Sequence, residues 1–142
     1  MARGSCFYGN IQIEYVGQPM IAGLSHCFDC RKLTGGVYSY SFVVKSADLK
    51  ITGKPKEIAK VADSGNQVRN YFCPDCGTPI YGVKLTATGE LGETTLLRAG
   101  IFDDIKILNK QKPVAELYTV ARVKWVDPLE GADQFTGMVP LP

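Results

Sequence analysis

Short runs in which apolar and polar residues alternate dominate the chain and predict a mostly β protein. Residues 11–15, Ile-Gln-Ile-Glu-Tyr, alternate with a period of two, which is typical of a strand with one buried face. The segment Val37 to Val44 is rich in β-branched and aromatic residues, which favour strands. Similar segments span residues 48–52, 67–72, 79–83, 94–99 and 116–120.

Helical signals are weaker and local. Short helices are expected from Cys27 to Leu33 and from Asp103 to Leu108, although neither segment shows a long period of 3.6 residues. Within the predicted strand that follows the first helix, Tyr38, Tyr40 and Phe42 alternate with small residues and should share one face. We expect these three aromatic side chains to lie in the core.

Length and composition are those of an ordinary globular domain. The chain has 142 residues, of which 45% are hydrophobic and 21% charged, so we expect one domain over residues 1–142. No apolar run approaches the roughly 18 to 20 residues that span a bilayer, and the start lacks the apolar segment of a secretory signal. The expectation is a cytoplasmic protein without a membrane partner. The net charge of only +2 and the scattered basic residues argue against nucleic acid as a partner.

The strongest chemical signal is the segment Cys73-Pro-Asp-Cys76-Gly77. Two thiols at this spacing, with Pro and Gly shaping a tight turn, can both reach one zinc ion at about 2.3 Å. The alternative is a pair of buried thiols or a thioredoxin-like redox pair, but no βαβ pattern surrounds it. The sequence therefore favours a zinc half-site.

A second pair, Cys27 and Cys30, repeats the same spacing. Taken alone, the two pairs suggest one zinc ion with four thiolate ligands. Cys6 then remains without a role, and five cysteines in a chain with no export signal argue against disulfides. Spacing alone does not decide how the five thiols are shared.

The ordered motifs of the chain resemble the family of glutathione-dependent formaldehyde-activating enzymes and centromere protein V. The resemblance runs nearly from end to end. Its motifs are Gly4-Ser-Cys6, His26-Cys-Phe-Asp-Cys-Arg-Lys-Leu-Thr-Gly35, Phe72-Cys-Pro-Asp-Cys-Gly-Thr-Pro-Ile-Tyr81, Arg98-Ala-Gly-Ile-Phe-Asp-Asp104, Tyr118, Arg122, Trp125 and Phe135-Thr-Gly-Met138. It implies a small zinc-containing β-tent fold of antiparallel strands with short helical turns.

The resemblance also implies a structural zinc, held in the family by a Cys-x-Cys near the start and by the later Cys-x-x-Cys. The matching residues are Cys6, Cys73 and Cys76, but Tyr8 stands where the second thiol is expected. Tyr8 or a water molecule could complete the site. We expect instead that Tyr8 is a core aromatic residue that fills the vacated space.

A catalytic zinc is implied as well, held in the family by the three thiols of a Cys-His-Cys-x-x-Cys segment. Cys27 and Cys30 match, whereas Ser25 replaces the first thiol. A neutral hydroxyl is a far poorer zinc ligand than a thiolate, so this site should be weak or empty. Alternatively, Cys27 or Cys30 could complete the first site, so one zinc is firmly expected and a second is not.

The implied activity is that of a carbon–sulfur lyase, since the family adds the glutathione thiol to formaldehyde. With Ser25 in the site, the substrate could be another small carbonyl or thiol adduct, as in a diverged metabolite-tailoring enzyme. We assign catalytic roles to Cys27 and Cys30, with His26 or Arg31 activating a thiolate. The alternative is a non-catalytic, zinc-stabilised binding module with a degenerate active site. The oligomeric state is left open.

Overall fold

The computed structural model describes residues 1–61, 67–86, 88 and 91–138, except for the side chains of residues 60, 61 and 91. The described chain is mostly β, as predicted. Its strands are β1 (Ala2–Ser5), β2 (Gln12–Tyr15), β3 (Ile21–Ser25), β4 (Ser39–Lys45), β5 (Leu49–Thr52), β6 (Lys56–Val61), β7 (Gln67–Phe72), β8 (Pro79–Leu85), β9 (Leu91–Arg98), β10 (Ala115–Leu117) and β11 (Asp133–Gln134). Its helices are α1 (Phe28–Thr34) and α2 (Ile105–Lys110), with one-turn 3-10 helices at Ser46–Asp48, Ala99–Ile101 and Thr119–Ala121.

The strands form two sheets. The smaller sheet has the antiparallel order β1-β2-β5, and the larger has the order β11-β10-β3-β4-β9-β8-β7-β6. Within the larger sheet β10 runs parallel to both β3 and β11. The expectation of purely antiparallel strands is therefore wrong at this edge, because a long connection through α2 brings the chain back to β3 in the same direction.

One apolar cluster joins the two sheets. From the smaller sheet, Ile13 and Tyr15 are buried, and from the larger sheet Phe42 and Leu97 are buried. Phe102 packs between them, with its ring 5.5 Å from Tyr15 in an edge-to-face contact and 5.6 Å from Phe42 in a stacked contact. Such aromatic contacts add to the free energy gained by burying apolar area.

Close backbone packing brings β1 against the segment after β9. Gly4 forms an isolated antiparallel bridge with Phe102. A Cβ atom on Gly4 would lie 2.5 Å from the carbonyl oxygen of Ile101. Only glycine therefore permits this approach, which sets the position of Cys6 just beyond β1.

The aromatic prediction for β4 is confirmed in part. Phe42 is fully buried, and Tyr40 packs against the core while its hydroxyl donates to the carbonyl oxygens of Leu108 and Gln111 at 3.1 and 2.6 Å. Tyr38 precedes the strand and is 39% exposed, so the prediction of a core position is wrong for this residue.

No helix in the described part of the chain is long and apolar enough to cross a membrane.

Candidate metal centre and thiol pair

Three of the predicted zinc ligands come together at one end of the core. Cys6 follows β1, whereas Cys73 and Cys76 lie in the turn between β7 and β8. Their sulfur atoms all lie within 4.8 Å of one another, and Cys6 and Cys73 are buried. Three thiolates around one zinc at 2.3 Å need sulfur separations of ~3.8 Å. The arrangement thus fits a zinc ion with small adjustments.

The turns that carry these thiols are built in the same way. Gly77 donates its N–H to the carbonyl oxygen of Cys73 at 2.8 Å, and Gly9 donates to that of Cys6 at 2.9 Å. Both glycines have positive φ, 78° and 84°, which side-chain-bearing residues rarely adopt. Asn10 Nδ2 also donates to Asp75 Oδ2 at 2.8 Å and joins the two turns. Backbone hydrogen bonds within each turn and the Asn10–Asp75 side-chain bond between the turns therefore hold the three thiols close together.

The thiols of this cluster differ in pKa, and hydrogen bonds favour the thiolate form of Cys76. Burial raises the pKa of Cys73. Burial also raises the pKa of Cys76, but side-chain and backbone hydrogen bonds from Thr78 and a backbone hydrogen bond from Tyr8 outweigh this effect and lower it to about 6. Because zinc binds the thiolate, a low pKa at Cys76 favours metal binding at neutral pH.

Tyr8 does not fill the space of the missing fourth thiol. It lies in the turn after Cys6, and its side chain is 63% exposed. The expectation that Tyr8 is a core aromatic residue is therefore wrong, because residues 6–10 form a turn rather than a continued strand. Its contribution to the cluster is the backbone N–H that bonds to Cys76.

The other two thiols form a separate pair. Cys27 is the N-cap of α1, where its sulfur accepts the N–H of Cys30 at 3.2 Å, and the two sulfur atoms lie 2.8 Å apart. Neither belongs to the group of thiols formed by Cys6, Cys73 and Cys76. The structure thus does not form the merged site in which Cys27 or Cys30 completes the first cluster.

The pair is electrostatically asymmetric. Its mutual hydrogen bond raises the pKa of Cys27, with burial and the nearby Cys30 sulfur adding to the effect. The same bond lowers the pKa of Cys30, whereas burial raises it. Hydrogen bonds from Ser25 and Ser39 then lower it further, and the charge of Arg98 adds to them, so that it lies at about 5. The Cys27 thiol donates to the Cys30 sulfur, and this hydrogen bond favours the thiolate form of Cys30.

Ser25 keeps the position of the missing third thiol next to this pair. Its Oγ lies 3.5 Å from the Cys27 nitrogen, and it hydrogen-bonds with the sulfurs of both cysteines. Two thiols and a hydroxyl are a zinc donor set of lower affinity than three thiols. To bind a tetrahedral ion, the two sulfurs would have to move apart by about 1 Å.

His26 and Arg31, the predicted activating residues, lie beside the thiols without facing the cavity described below. His26 is fully buried, and its Nε2 donates to Glu116 Oε1 at 2.8 Å. The guanidinium of Arg31 lies over the Phe28 ring, with Cζ 5.7 Å from the centroid. Their catalytic roles stay predictions.

Glu116 anchors a buried network that the sequence analysis missed. Besides the bond to His26, its Oε2 accepts from the Leu129 nitrogen at 2.8 Å, from Gln134 Nε2 at 2.7 Å and from Arg122 at 3.2 Å. Burial raises the pKa of Glu116, but these hydrogen bonds and the Arg122 charge lower it to about 2. The sequence signal for this network was Glu116 itself, the one acidic residue in the predicted strand at residues 116–120.

The thiol pair opens onto a cavity of about 510 Å³ that lies on the face of the larger sheet opposite the core. Ser25, Cys27, Cys30, Ser39 and Arg98 line its polar part. A second cavity of about 570 Å³, next to Cys6, shares Ser39 and Arg98 with the first. Arg98 ends β9 and is 7% exposed, and its positive charge acts on the Cys30 sulfur.

Fold and site together define a mostly β protein with a three-thiol metal-binding candidate and a separate thiol pair at a cavity. The chain belongs to the family of glutathione-dependent formaldehyde-activating enzymes, whose model matches residues 1–121. It is also similar to a Rhodobacter sphaeroides protein known from a structural-genomics crystal structure, with 17% sequence identity and a TM-score of 0.50 over 94% of this chain and 99% of the other. That likeness concerns the fold alone. No curated protein sequence matches the chain.

Proposed function

We propose that this protein is a zinc-dependent carbon–sulfur lyase of the formaldehyde-activating type, which acts on a small carbonyl compound or its thiol adduct. Under this proposal residues 1–142 form one zinc-containing β-tent domain that works in the cytoplasm, with glutathione or a glutathione adduct as a candidate ligand. Membership in the family supports the reaction type. The observation that carries the proposal is the thiol pair Cys27 and Cys30 at the polar part of a cavity.

Zinc would bind at two sites that differ in affinity. Cys6, Cys73 and Cys76 would hold a structural zinc that joins the two turns. Cys27 and Cys30 would hold a second ion more weakly, because Ser25 supplies a neutral oxygen there. An ion bound by this pair would polarise a carbonyl group or lower the pKa of a bound thiol.

The thiol pair itself can move the proton that the reaction requires. In the direction of addition, the incoming thiol loses a proton, its sulfur forms a bond to the carbonyl carbon, and the carbonyl oxygen gains a proton. When no ion is bound, the pair could take up the first proton and return the second along the 2.8 Å hydrogen bond between its two sulfurs. Arg98 stabilises negative charge beside them. Breakdown of the adduct reverses these steps.

His26 would support the pair rather than contact the substrate. Its ring is fixed by Glu116, and its main chain leads directly into the N-cap residue Cys27. Arg31 extends from the same helix and adds positive charge on its outer side. Both roles rest on position within the fold.

Zinc content and turnover together test the proposal. Elemental analysis of protein purified without added metal should give between one and two zinc ions per chain, falling to one in a Cys27→Ser, Cys30→Ser double variant. The zinc retained by the Cys6 cluster serves as the internal control. Exchange between glutathione, formaldehyde and their adduct, followed by NMR, should be faster than the uncatalysed reaction and should lose this acceleration in Cys30→Ala at an unchanged melting temperature.

Two results would contradict the proposal. No zinc in the wild-type protein would remove the structural site. Exchange at the uncatalysed rate for glutathione and for simple thiols would favour the alternative of a non-catalytic, zinc-stabilised binding module. The observation behind this alternative is that Ser25 stands where the family has a third thiol.

A further inference from the structure

The cavity at the thiol pair is apolar over most of its wall, and the strand register shows why. One row across the larger sheet pairs Ile21 with Val43, Val43 with Leu96, Leu96 with Gly82, Gly82 with Asn70 and Asn70 with Ile58. All six residues line the cavity. Four of the six carry aliphatic side chains, so this row forms a hydrophobic floor.

The next rows toward the thiols are polar. Gly23 pairs with Ser41 and Ser41 with Arg98, and beyond them Ser25 pairs with Ser39. The hydrophobic floor therefore ends at Arg98, and the thiol pair lies past it. The cavity has one apolar part and one polar part, in which Arg98 lies near the thiols and to which Asp29 and Lys32 also contribute.

Arg98 has capacity for an anion. Among the described residues no carboxylate forms an ion pair with it, and its neutral partners are Ser41 Oγ at 3.3 Å and Asn70 Oδ1 at 3.4 Å. The Cys30 sulfur is the negative group beside it. A guanidinium has five N–H donors in a planar fork that matches a carboxylate, so two long bonds and one sulfur leave donors available.

The cavity is larger than formaldehyde requires, and its apolar floor does not match so small and polar a molecule. A volume of about 510 Å³ lies in the range of pockets that take ligands of drug size. Small residues at Gly23, Gly82, Ser39 and Ser41 create this hollow, since larger side chains on the same face would fill it. Glutathione, with its ammonium and two carboxylates, has no apolar part to cover the floor.

We propose that the cavity binds a molecule with an apolar, ring-sized or aliphatic body and one carboxylate, the body on the row from Ile21 to Ile58 and the carboxylate on Arg98. This inference rests on the proposed function, since it makes that molecule the organic partner in the reaction at Cys27 and Cys30. A carbonyl carbon near the carboxylate end of such a molecule would lie next to the thiols.

Calorimetric titration with 2-naphthoate and the neutral 2-naphthalenemethanol tests the inference on the intact protein. A charge-assisted hydrogen bond to Arg98 should make naphthoate bind about 10-fold to 100-fold more tightly than the alcohol. Arg98→Met should reduce naphthoate binding to the level of the alcohol and leave alcohol binding unchanged.

A second variant keeps the test decisive if Arg98→Met does not fold. Ile58 is 44% exposed at the far rim of the cavity, so Ile58→Glu places a like charge beside the anionic probe without disturbing the core. It should weaken naphthoate binding several-fold. Val16 is 48% exposed after β2 and does not line the cavity, so the matched Val16→Glu should have no effect.

Equal affinity for naphthoate and the alcohol, or equal effects of the two Glu variants, would overturn the inference. So would a wild-type protein that is dimeric in sedimentation analysis and binds neither probe, because a second copy would then cover this face. Binding is measured without turnover. A protein that binds naphthoate but shows no thiol-exchange activity would overturn the proposed function alone, and the reverse result would overturn this inference alone.

Discussion

Replacing Glu116 by glutamine should lower the free energy of unfolding more than the replacement of any exposed charged residue. Glutamine keeps the size of the side chain but loses the charge that accepts hydrogen bonds from His26, Leu129, Gln134 and Arg122. The pKa of Glu116 falls from its ordinary value of 4.5 to about 2 in the folded protein. Each pKa unit is worth ~1.4 kcal/mol, so the carboxylate contributes up to about 3 kcal/mol.

The pH dependence follows from the direction of that difference. Because the folded-state pKa lies below the unfolded-state value, the contribution is complete above about pH 4.5 and is lost as the pH falls through about 2. The free energy of unfolding of Glu116→Gln should therefore be about 3 kcal/mol below that of the wild-type protein at pH 7. The difference in the free energy of unfolding between the two proteins should be smaller at pH 3.

Urea denaturation followed by circular dichroism at pH 7, 5 and 3 measures both effects. Acid would also release a zinc ion held by the thiols, but this loss would be common to both proteins and would cancel in their difference. Glu57→Gln is the control, because the Glu57 side chain is 52% exposed and pairs with Arg69 at 3.8 Å, a contact worth under ~1 kcal/mol. Equal destabilisation by the two substitutions at pH 7, or a gap for Glu116 that persists undiminished at pH 3, would refute the reasoning.

Three further predictions concern the two thiol sites and their support. Tyr8→Cys should add a fourth thiol to the Cys6 cluster and raise at least tenfold the resistance to a chelator of a zinc ion bound there, whereas Phe7→Cys, at an 87% exposed neighbouring position, should not. Ser25→Cys should raise the zinc content measured by elemental analysis to two per chain; an unchanged content would show that the serine does not limit the second site. Gly4→Ala should lower the free energy of unfolding by about 2 kcal/mol or more, because its Cβ would lie 2.5 Å from a backbone oxygen, while Gly100→Ala, with open space around its Cβ, should change it little.

Local pattern was sufficient for the strands that have one buried and one accessible face. The segments predicted at residues 11–15, 48–52, 67–72 and 79–83 correspond to β2, β5, β7 and β8, and both helices were found near their true positions. The pattern missed β1, β3, β6 and β11. The sequences of β6, Lys-Glu-Ile-Ala-Lys-Val, and of β3, Ile-Ala-Gly-Leu-Ser, both lack a regular alternation of apolar and polar residues.

The parallel pairing of β10 could not be read from the chain, because it joins residues about 90 positions apart. Ala115 pairs with Gly23 and Leu117 with Ser25, and no local signal specifies that register. The buried network of Glu116 depends on the same pairing, since it brings this side chain to His26. Its omission from the predicted site therefore has the same cause as the error in the topology.

Cysteine spacing identified the two Cys-x-x-Cys pairs but not how the thiols are shared, because two such pairs are compatible with one four-thiolate site or with two separate sites. The family resemblance grouped Cys6 with Cys73 and Cys76 and set Cys27 and Cys30 apart, and the distances agree with that grouping. The structure separates them because Cys6 follows β1 in the smaller sheet and joins Cys73 and Cys76, while the other pair begins a helix that leaves the larger sheet. Which thiols come together therefore depends on the sheet that each segment joins, and this is a property of the tertiary structure.

Strand β4 explains why a stable core and an open cavity coexist in so small a protein. Its core face carries Phe42 and Val44, whereas the opposite face carries Ser39 and Ser41 before Val43. A shift of one residue in the pairing of β4 with β3 and β9 would exchange the two faces and bury the serines in the core. The alternation of bulky and small residues therefore fixes the register and leaves the hollow beside the thiols at once. Large side chains on one face supply the hydrophobic free energy that lets the other face stay unfilled.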